Sequence, residues 1–245
     1  MFLHMPRHYV PARTIQLDSY DLLTSLMPLG FPQRMSTTGL DRRTRRRQET
    51  IEEILEVAIT LMETEGVAAL SLSAVARRLG MQPPSLYQYF PSKMAIYDAL
   101  FQRGAELVLA VQQDAVASAS PDDDVLEVGT TAFLRWCLDH PVYSQLLFWR
   151  TIPGFEPSPQ AFAPAQESIE HFRQHLKEAV DAGRLHPDAA TEEAIALYTS
   201  LTGGLLSQQI ANEPDASFAE GRYIRLLPVV LEMFYQRYAP TRGKP

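Results

Sequence analysis

Apolar residues recur every three or four positions along most of this 245-residue chain, which is the spacing of one buried face of a helix. No run alternates apolar and polar residues for long enough to indicate a strand, so the sequence predicts an all-α fold. The predicted helices cover residues 49–65, 71–79, 83–90, 92–118, 122–140, a short stretch that ends at 149, 160–182, 188–212 and 217–238.

The predicted helix ends rest on residues with special backbone or capping chemistry. Ser92, Asp188 and Ser217 each precede an apolar periodic run and are predicted to cap a helix at its start. Gly66 and Gly183 follow such runs and are predicted to end helices, because glycine adopts the left-handed conformation at little cost. These signals divide the chain into consecutive helices joined by short connections.

Residues 71–93 predict two short helices joined by a tight turn. Ser71 is placed to accept a hydrogen bond from the free amides that open the first helix. Gly80 follows the last apolar residue of that helix and is predicted to end it. The double proline at 83–84 lacks amide hydrogens and fits only a first turn, so a second helix is predicted to begin there and to run through Phe90.

The second of these helices is predicted to keep its hydrogen-bonding side chains on one outward face. Leu86 and Phe90 are four residues apart and are predicted to point inward together. The outward amides and hydroxyls suit contacts with base edges and phosphates when a helix-turn-helix unit enters the DNA major groove. The predicted contacts in and around this unit are Ser71, Gln82, Ser85, Tyr87, Gln88, Tyr89 and Lys93.

A basic cluster precedes this unit and is predicted to form a flexible arm ahead of the first helix. Such an arm can follow a phosphate backbone or enter a minor groove. A solubilising or interdomain charge run is the alternative interpretation, and the neighbouring helix-turn-helix favours DNA contact. The cluster consists of Arg42, Arg43, Arg45, Arg46 and Arg47.

The net charge of −7 argues at first against a nucleic-acid partner, because affinity for DNA depends on neutralising phosphates. The charge is unevenly distributed, however. Residues 35–103 carry nine Lys and Arg against eight Asp and Glu, whereas residues 104–245 carry ten against nineteen. The acidic excess therefore belongs to the C-terminal part, and the helix-turn-helix part keeps a slight positive balance.

These motifs resemble the DNA-binding domain of the TetR family of bacterial transcriptional regulators over roughly residues 46–103, and more loosely to the C-terminus. The resemblance rests on the leading helix with Gly66, the pattern from Val75 to Gly80 and the pattern from Leu86 to Phe90. It implies that the side chains of Tyr87, Tyr89 and Lys93 contact phosphates. Gln82 departs from the Ser or Thr that is usual there, and glutamine caps poorly, so Gln82 is predicted to reach a base edge instead.

The resemblance also implies the domain organisation and the partners. Residues 41–103 would form a three-helix DNA-binding domain with its motif at 71–90, and residues 104–245 a helical effector-binding and dimerisation domain. Residues 1–40 would form an N-terminal extension, interpreted either as mobile or, up to residue 34, as an upstream-start artefact. The implied function is a repressor, a homodimer on a near-palindromic double-stranded operator, released when a small hydrophobic effector binds.

Two apolar stripes near the C-terminus are predicted to form the dimer interface. Gly203 and Gly204 would let a partner helix approach closely, and the family pairs two such helices per subunit into a four-helix bundle. The alternative is that both stripes pack within one subunit. The predicted interface consists of Tyr198, Thr202, Leu205, Leu206, Leu227, Val230, Leu231 and Phe234.

Aromatic residues are frequent between residues 123 and 201, which is compatible with an apolar cavity for the implied effector. For any single residue, core packing is the more common role. Indole and phenol groups can hydrogen-bond a ligand as well as pack on it. The predicted pocket residues are Trp136, Tyr143, Phe148, Trp149, Phe172 and Tyr198.

Other chemistry is weakly represented. The single cysteine, Cys137, excludes an intramolecular disulfide framework and fits a reducing cytoplasm. No uninterrupted apolar run approaches the ~20 residues needed to cross a bilayer, so no membrane partner is expected. His171 and His175 could ligate a metal with Glu167 or Glu178, but a solvated helix face is favoured.

The chain lacks a nucleophile elbow, a phosphate-binding glycine loop and an H-E-x-x-H motif, so an enzyme is not expected, and neither is a cofactor. Two alternatives to a regulator stay open at this point. One is a helical adaptor that acts through protein contacts, and the other is a small-molecule carrier, each without specific DNA binding.

Overall fold

The computed structural model describes the backbone of residues 38–240 and the side chains of residues 42–240. Within this part of the chain the structure is helical and contains no strand. The helices are α1 (Thr38–Glu65), α2 (Leu72–Arg78), α3 (Pro83–Leu86), α4 (Lys93–Ala117), α5 (Val125–Asp139), α6 (Pro141–Phe148), α7 (Pro159–Asp181), α8 (Glu192–Asn212) and α9 (Leu227–Arg237). Most of the predicted extension, residues 1–37, lies outside the described residues.

Helix α1 begins eleven residues before the predicted start at Glu49, and the basic cluster is part of it. The prediction of a flexible arm is therefore wrong for Arg42 to Arg47. The sequence from 40 to 65 contains neither glycine nor proline, and arginine is a good helix former. Because nothing breaks the helix there, the arginines are held on a regular scaffold that continues into the buried residues Ile54 and Leu55.

The turn between α2 and α3 forms as predicted, but its flanks differ in detail. Gly80 has φ 65°, and the amide of Met81 donates to the carbonyl of Ala76 at 2.9 Å, which closes α2 with a left-handed residue. Ser71 stands at the start of α2 without a side-chain capping bond, and its Oγ instead lies 2.8 Å from Oγ of Ser73. The predicted capping bond of Ser71 is therefore absent.

Helix α3 is shorter than predicted. Its α-helical part ends at Leu86, and residues 87–89 continue as turns. The amides of Tyr89 and Phe90 still donate to the carbonyl of Leu86, at 2.9 and 3.0 Å. The physical reason is that two prolines at the start leave few amides for the regular bonding pattern of a short helix.

Helix α4 connects the two halves of the molecule. The Ser92 side chain accepts a hydrogen bond from the amide of Ala95 at 3.2 Å, so the predicted cap is present. Near its start, Tyr97 is fully buried and donates from its hydroxyl to the carbonyl of Val67 at 2.7 Å. The predicted domain boundary at residue 103 lies inside this uninterrupted helix, which therefore contributes to both parts.

The C-terminal helices follow the predicted order, but α8 and α9 begin later in the sequence than predicted. Helix α8 is capped by Thr191, which accepts from the amide of Ala194 at 3.3 Å, and Asp188 lies in a preceding 3-10 turn. Helix α9 begins at Leu227, ten residues after Ser217. Pro228 stands in the first turn of α9, where its missing amide hydrogen costs no helical bond, which favours a start at Leu227 over one at Ser217.

The arrangement leaves no described helix both long enough and apolar enough to cross a membrane.

Candidate nucleic-acid interface and C-terminal groove

The polar face of the helix-turn-helix unit lies at the surface. Gln82 and Gln88 are exposed, and Tyr87 exposes 53% of its surface, while Ser85 and Tyr89 are half-buried. Gln82 makes no side-chain capping bond, so its amide is available to a partner as predicted from its weak capping ability.

Two buried residues hold this face outward. Leu86 and Phe90 are 1% and 6% exposed, as the four-residue spacing predicted, and they belong to one core with Val75 and Ala76 of α2. Burying these two large apolar side chains stabilises the fold by roughly 3–6 kcal/mol relative to leaving them in water. A rotation of the segment that buried its polar side chains instead would lose this stabilisation. Lys93, directly after this unit, is exposed at the first position of α4.

The basic cluster lies near this face. All five arginines are exposed, and Arg45 pairs with Glu49 at 3.7 Å. Arg47 behaves differently from the others, because its Nη2 donates to the carbonyl of Gln88 at 3.0 Å and its guanidinium lies 5.0 Å from the ring centre of Tyr89. No sequence signal pairs residues 41 positions apart, so this contact was not predicted.

An ion-pair cluster joins α4 to α1. Arg103 donates from Nη1 to Oε1 of Glu56 at 2.8 Å and from Nη2 to Glu52. Arg103 is mostly buried, whereas both carboxylates are largely exposed. Burial raises the pKa of Tyr143, and the nearby Arg103 opposes part of that rise. The cluster therefore places α6 of the C-terminal part against the link between α4 and α1.

Close packing at Gly104 strengthens this junction. A Cβ on Gly104 would lie 2.6 Å from Cδ1 of Tyr143, so only a glycine lets α6 approach α4 this closely. The Tyr143 ring in turn lies 5.9 Å from the ring of Trp136. These contacts form a continuous packed path from α5 through α6 to α4.

Most of the predicted pocket residues form aromatic clusters with one another or with neighbouring rings. Phe172 lies 4.5 Å from the ring of Tyr198, and Phe148 lies near Phe133 and Trp149. The Tyr198 hydroxyl bonds with the hydroxyl of Thr130, and burial raises the pKa of Tyr198, so its phenol stays protonated. Tyr143 and Tyr198 are buried, Phe148, Trp149 and Phe172 are half-buried, and none of the five lines the two cavities described next, so their role in a pocket stays a prediction.

An open groove lies instead between α4 and α5, with a volume of about 740 Å³. Trp136 is the one predicted pocket residue that lines it. A smaller cavity of about 420 Å³ along α9 shares Glu127 with it, and the Tyr235 hydroxyl bonds with Asp124 between them. The larger groove is lined by Val111, Ala115, Asp123, Asp124, Glu127, Val128, Thr131, Ala132, Arg135, Trp136 and Asp139.

The predicted dimer interface lies mainly inside the subunit. Only Val230 of that set is partly exposed, and the other seven side chains are buried, namely Tyr198, Thr202, Leu205, Leu206, Leu227, Leu231 and Phe234. Those seven cannot meet a partner in this arrangement, so the prediction is wrong for them, and the alternative of packing within one subunit applies. The helical spacing of these residues correctly indicated an apolar face, but that face packs into the core of the same subunit.

A second apolar stripe on the same helices faces outward. Leu226, Val229 and Met233 are 46%, 50% and 55% exposed, and Leu197 of α8 is 37% exposed. Gly204 is exposed and has nothing within 4 Å of the position of a Cβ. The spacing of residues 226, 229 and 233 is helical and was visible in the sequence, but periodicity alone does not tell which of two stripes is buried.

The candidate metal ligands remain two separate pairs. His171 lies 3.9 Å from Glu167, and His175 lies 3.5 Å from Glu178. Within residues 38–240 no three His, Cys, Asp or Glu side chains are grouped to hold a metal. Burial raises the pKa of the Cys137 thiol well above its usual range, so this free thiol stays protonated inside the core.

Comparison with known proteins agrees with this architecture. Residues 54–100 match the model of the bacterial regulatory proteins of the tetR family, and residues 126–220 match the tetracyclin repressor-like C-terminal domain. The tetracycline repressor protein class C of Escherichia coli is 30% identical over 168 residues, which are 67% of this chain and 68% of that protein. The chain belongs to the TetR family. It is a DNA-binding transcriptional regulator, and the adaptor and carrier alternatives are not supported.

Other TetR-like relatives extend the comparison. The transcriptional regulator Rv1816 of Mycobacterium tuberculosis is 30% identical over 132 residues, so this chain spans 55% of that protein's length. The crystal structure of PfmR, a TetR family regulator from Thermus thermophilus, has a TM-score of 0.57 at 20% identity and covers 75% of this chain and 97% of its own. At that identity the likeness concerns the fold. These relatives are regulators and not enzymes.

Two tyrosines, ten residues apart, test the orientation of the recognition segment. We expect Tyr87→Phe to change the free energy of unfolding by less than about 0.5 kcal/mol, because an exposed hydroxyl contributes little. Tyr97→Phe should cost about 1–3 kcal/mol, because it leaves the buried carbonyl of Val67 without its donor. Urea unfolding followed by circular dichroism measures both. A loss of about 1–3 kcal/mol for Tyr87→Phe as well would mean that the Tyr87 hydroxyl is buried, in conflict with the structure.

Proposed function

We propose that this TetR-family regulator represses transcription by binding a near-palindromic operator as a homodimer, and that a small apolar effector releases it. Residues 41–103 would act as the DNA-binding domain and residues 104–245 as the effector and dimerisation domain. The observation that carries the proposal is the exposed polar face of residues 82–89, which the buried Leu86 and Phe90 hold outward.

The chemistry of this face supports direct contact with DNA. Amide groups of the Gln82 and Gln88 type can donate and accept together and therefore suit adenine in the major groove. Tyr87 and Lys93 are exposed where phosphates beside that groove would lie, and the basic end of α1 adds cations nearby. Ser71, which makes no capping bond, and Ser85 are hydroxyl donors at the same edge.

We expect the purified chain to select a specific near-palindromic duplex from a random-sequence pool. Lys93→Ala should weaken binding to the selected duplex and to a shuffled duplex alike, and should reduce the slope of log Kd against log salt by about one per subunit. Gln88→Ala should instead weaken only the selected duplex, by about 1–3 kcal/mol. Mobility shifts across a salt series measure both effects. Failure of the wild-type chain to select any sequence would refute the proposal.

The outward stripe of α8 and α9 supports homodimerisation. Exposed aliphatic residues grouped on one face are unusual for a monomer and typical of an interface. Gly204 lies on the outward side of α8, where a partner helix could approach closely. A two-fold dimer through this stripe, Leu197, Leu226, Val229 and Met233, would present two recognition segments to one operator.

The dimer is tested with a pair of matched charge substitutions. Met233→Glu would bury an unpaired carboxylate between subunits, and we expect at least ~100-fold weaker association. Leu107→Glu, at a similarly exposed position of α4 outside the stripe, should leave association unchanged. Sedimentation velocity over a dilution series measures both. A Met233→Glu chain that stays dimeric, or a Leu107→Glu chain that dissociates, would place the interface elsewhere.

The α4–α5 groove supports an effector site. Its volume of about 740 Å³ is within the range of small-molecule pockets, and Trp136, Val111 and Val128 give it apolar walls. Four carboxylates and one guanidinium line it, so the effector we propose is an apolar compound that carries a basic group. Trp136 also contacts Tyr143, and Tyr143 packs at Gly104, next to Arg103. A ligand that moved Trp136 would therefore shift the packing of α4 against α1. Release requires that the effector prefer the conformation that does not bind DNA.

Two dansyl probes of opposite charge test this site. In a Trp149→Phe chain Trp136 is the single tryptophan, so energy transfer to a bound dansyl group reports proximity to the groove. We expect dansylcadaverine to bind at least ~10-fold more tightly than dansylglycine, about 1.4 kcal/mol. Replacing Glu127 and Asp139 with their amides should reduce that preference, because only Asp123 and Asp124 then oppose Arg135. Equal binding of the two probes, or no transfer from Trp136, would contradict the site.

A further inference from the structure

The recognition segment is weakly held by its own backbone. Helix α3 is only four residues long, begins with two prolines and has no side-chain bond at its cap residue Gln82. After it, the amide of Gln88 reaches the carbonyl of Ser85 at 3.4 Å, a long bond, and Tyr89 reaches Leu86 at 2.9 Å. A single turn of helix is not stable in isolation. The direction of Gln88 and Tyr89 therefore depends on contacts from outside the segment.

Arg47 supplies such a contact to two consecutive residues. Its Nη2 donates to the carbonyl of Gln88 at 3.0 Å, and the same guanidinium lies 5.0 Å from the ring centre of Tyr89. Carbonyls at the end of a helix carry partial negative charge and favour a cation, and a guanidinium on an aromatic face gains cation–π attraction. One planar group thus holds the end of the recognition segment and orients a tyrosine.

The contact comes from a rigid element. Arg47 lies on the continuous helix α1, which is anchored in the turns that follow by the buried side chains of Ile54, Leu55 and Ala58. Arg43 lies one turn earlier on the same side of α1 and is exposed, and its guanidinium makes no hydrogen bond or ring contact with residues 82–90. The two arginines therefore carry the same charge one helical turn apart, but only Arg47 makes a hydrogen bond and a ring contact with the recognition segment.

We propose that Arg47 is a positioning residue that sets the direction of Gln88 and Tyr89, and that it does not act as a phosphate contact like its neighbours. This inference rests on the proposed binding of DNA by residues 82–89. Its role requires the planar guanidinium, because a lysine ammonium cannot both stack on Tyr89 and donate at the fixed angle toward the Gln88 carbonyl. A phosphate contact, in contrast, would tolerate lysine.

The first arm of the test uses the full-length chain without DNA. Hydrogen exchange is compared at the amides of residues 88–90 in the wild type, Arg47→Ala, Arg47→Lys and the matched controls Arg43→Ala and Arg43→Lys. We expect both Arg47 variants to speed exchange at these amides by about 10-fold, since they lose a charged hydrogen bond and a cation–π contact. The Arg43 variants should exchange like the wild type.

The second arm uses the selected duplex and a shuffled duplex over a salt series. Arg47→Ala and Arg47→Lys should both bind the selected duplex about 10-fold more weakly, with the shuffled duplex and the salt slope unchanged. Arg43→Ala should weaken both duplexes and reduce the slope by about one per subunit, and Arg43→Lys should restore both.

The outcomes separate this inference from the proposed function. Unchanged exchange at residues 88–90 in the Arg47 variants would overturn it, and so would a reduced salt slope that Arg47→Lys restores. If the wild type selects no duplex, the proposed function fails, while faster exchange in the Arg47 variants would still establish that Arg47 holds the segment.

Discussion

The buried phenol of Tyr97 is the interaction on which the rest of the molecule depends. Its hydroxyl donates to the carbonyl of Val67, in the turn that follows α1, and its ring lies 5.7 Å from Phe155 in the loop before α7. One side chain near the start of α4 therefore contacts both halves of the chain. Because α4 then continues without a break to Ala117, the packing of the C-terminal helices determines where the DNA-binding helices lie.

The outward surface follows from this internal arrangement. Leu86 and Phe90 complete the core beside α2, so the amides and phenols between them have no place inside. Arg103 and Arg47 add two further links, one from α4 to α1 and one from α1 to the recognition segment. The groove along α5 is connected to the first link through Trp136 and Tyr143, so the effector site that we propose would be linked to the DNA-binding helices through the packing of α4.

Local chemistry made much of the fold predictable. The left-handed turn at Gly80 and the cap at Ser92 depend on neighbouring residues only, and the structure confirms both. Asp188 and Ser217 were misplaced as caps because a nearby Thr191 and a distant Pro228 decide where those helices begin. The apolar stripe containing Tyr198 was correctly seen as apolar, but the side that it faces depends on helices far away in sequence. The same holds for the Arg47 and Arg103 contacts and for the groove, since each joins residues that only the folded chain brings together.

The central claim is that the face of residues 82–89 enters the major groove. The most direct measurement is photocrosslinking from p-benzoylphenylalanine placed at position 88, with the crosslinked bases on the selected duplex mapped by primer extension. We expect crosslinks to bases at two symmetric positions about one helical turn apart or a multiple of it. Crosslinks confined to a second protein chain, or none to DNA while the complex forms, would contradict the claim.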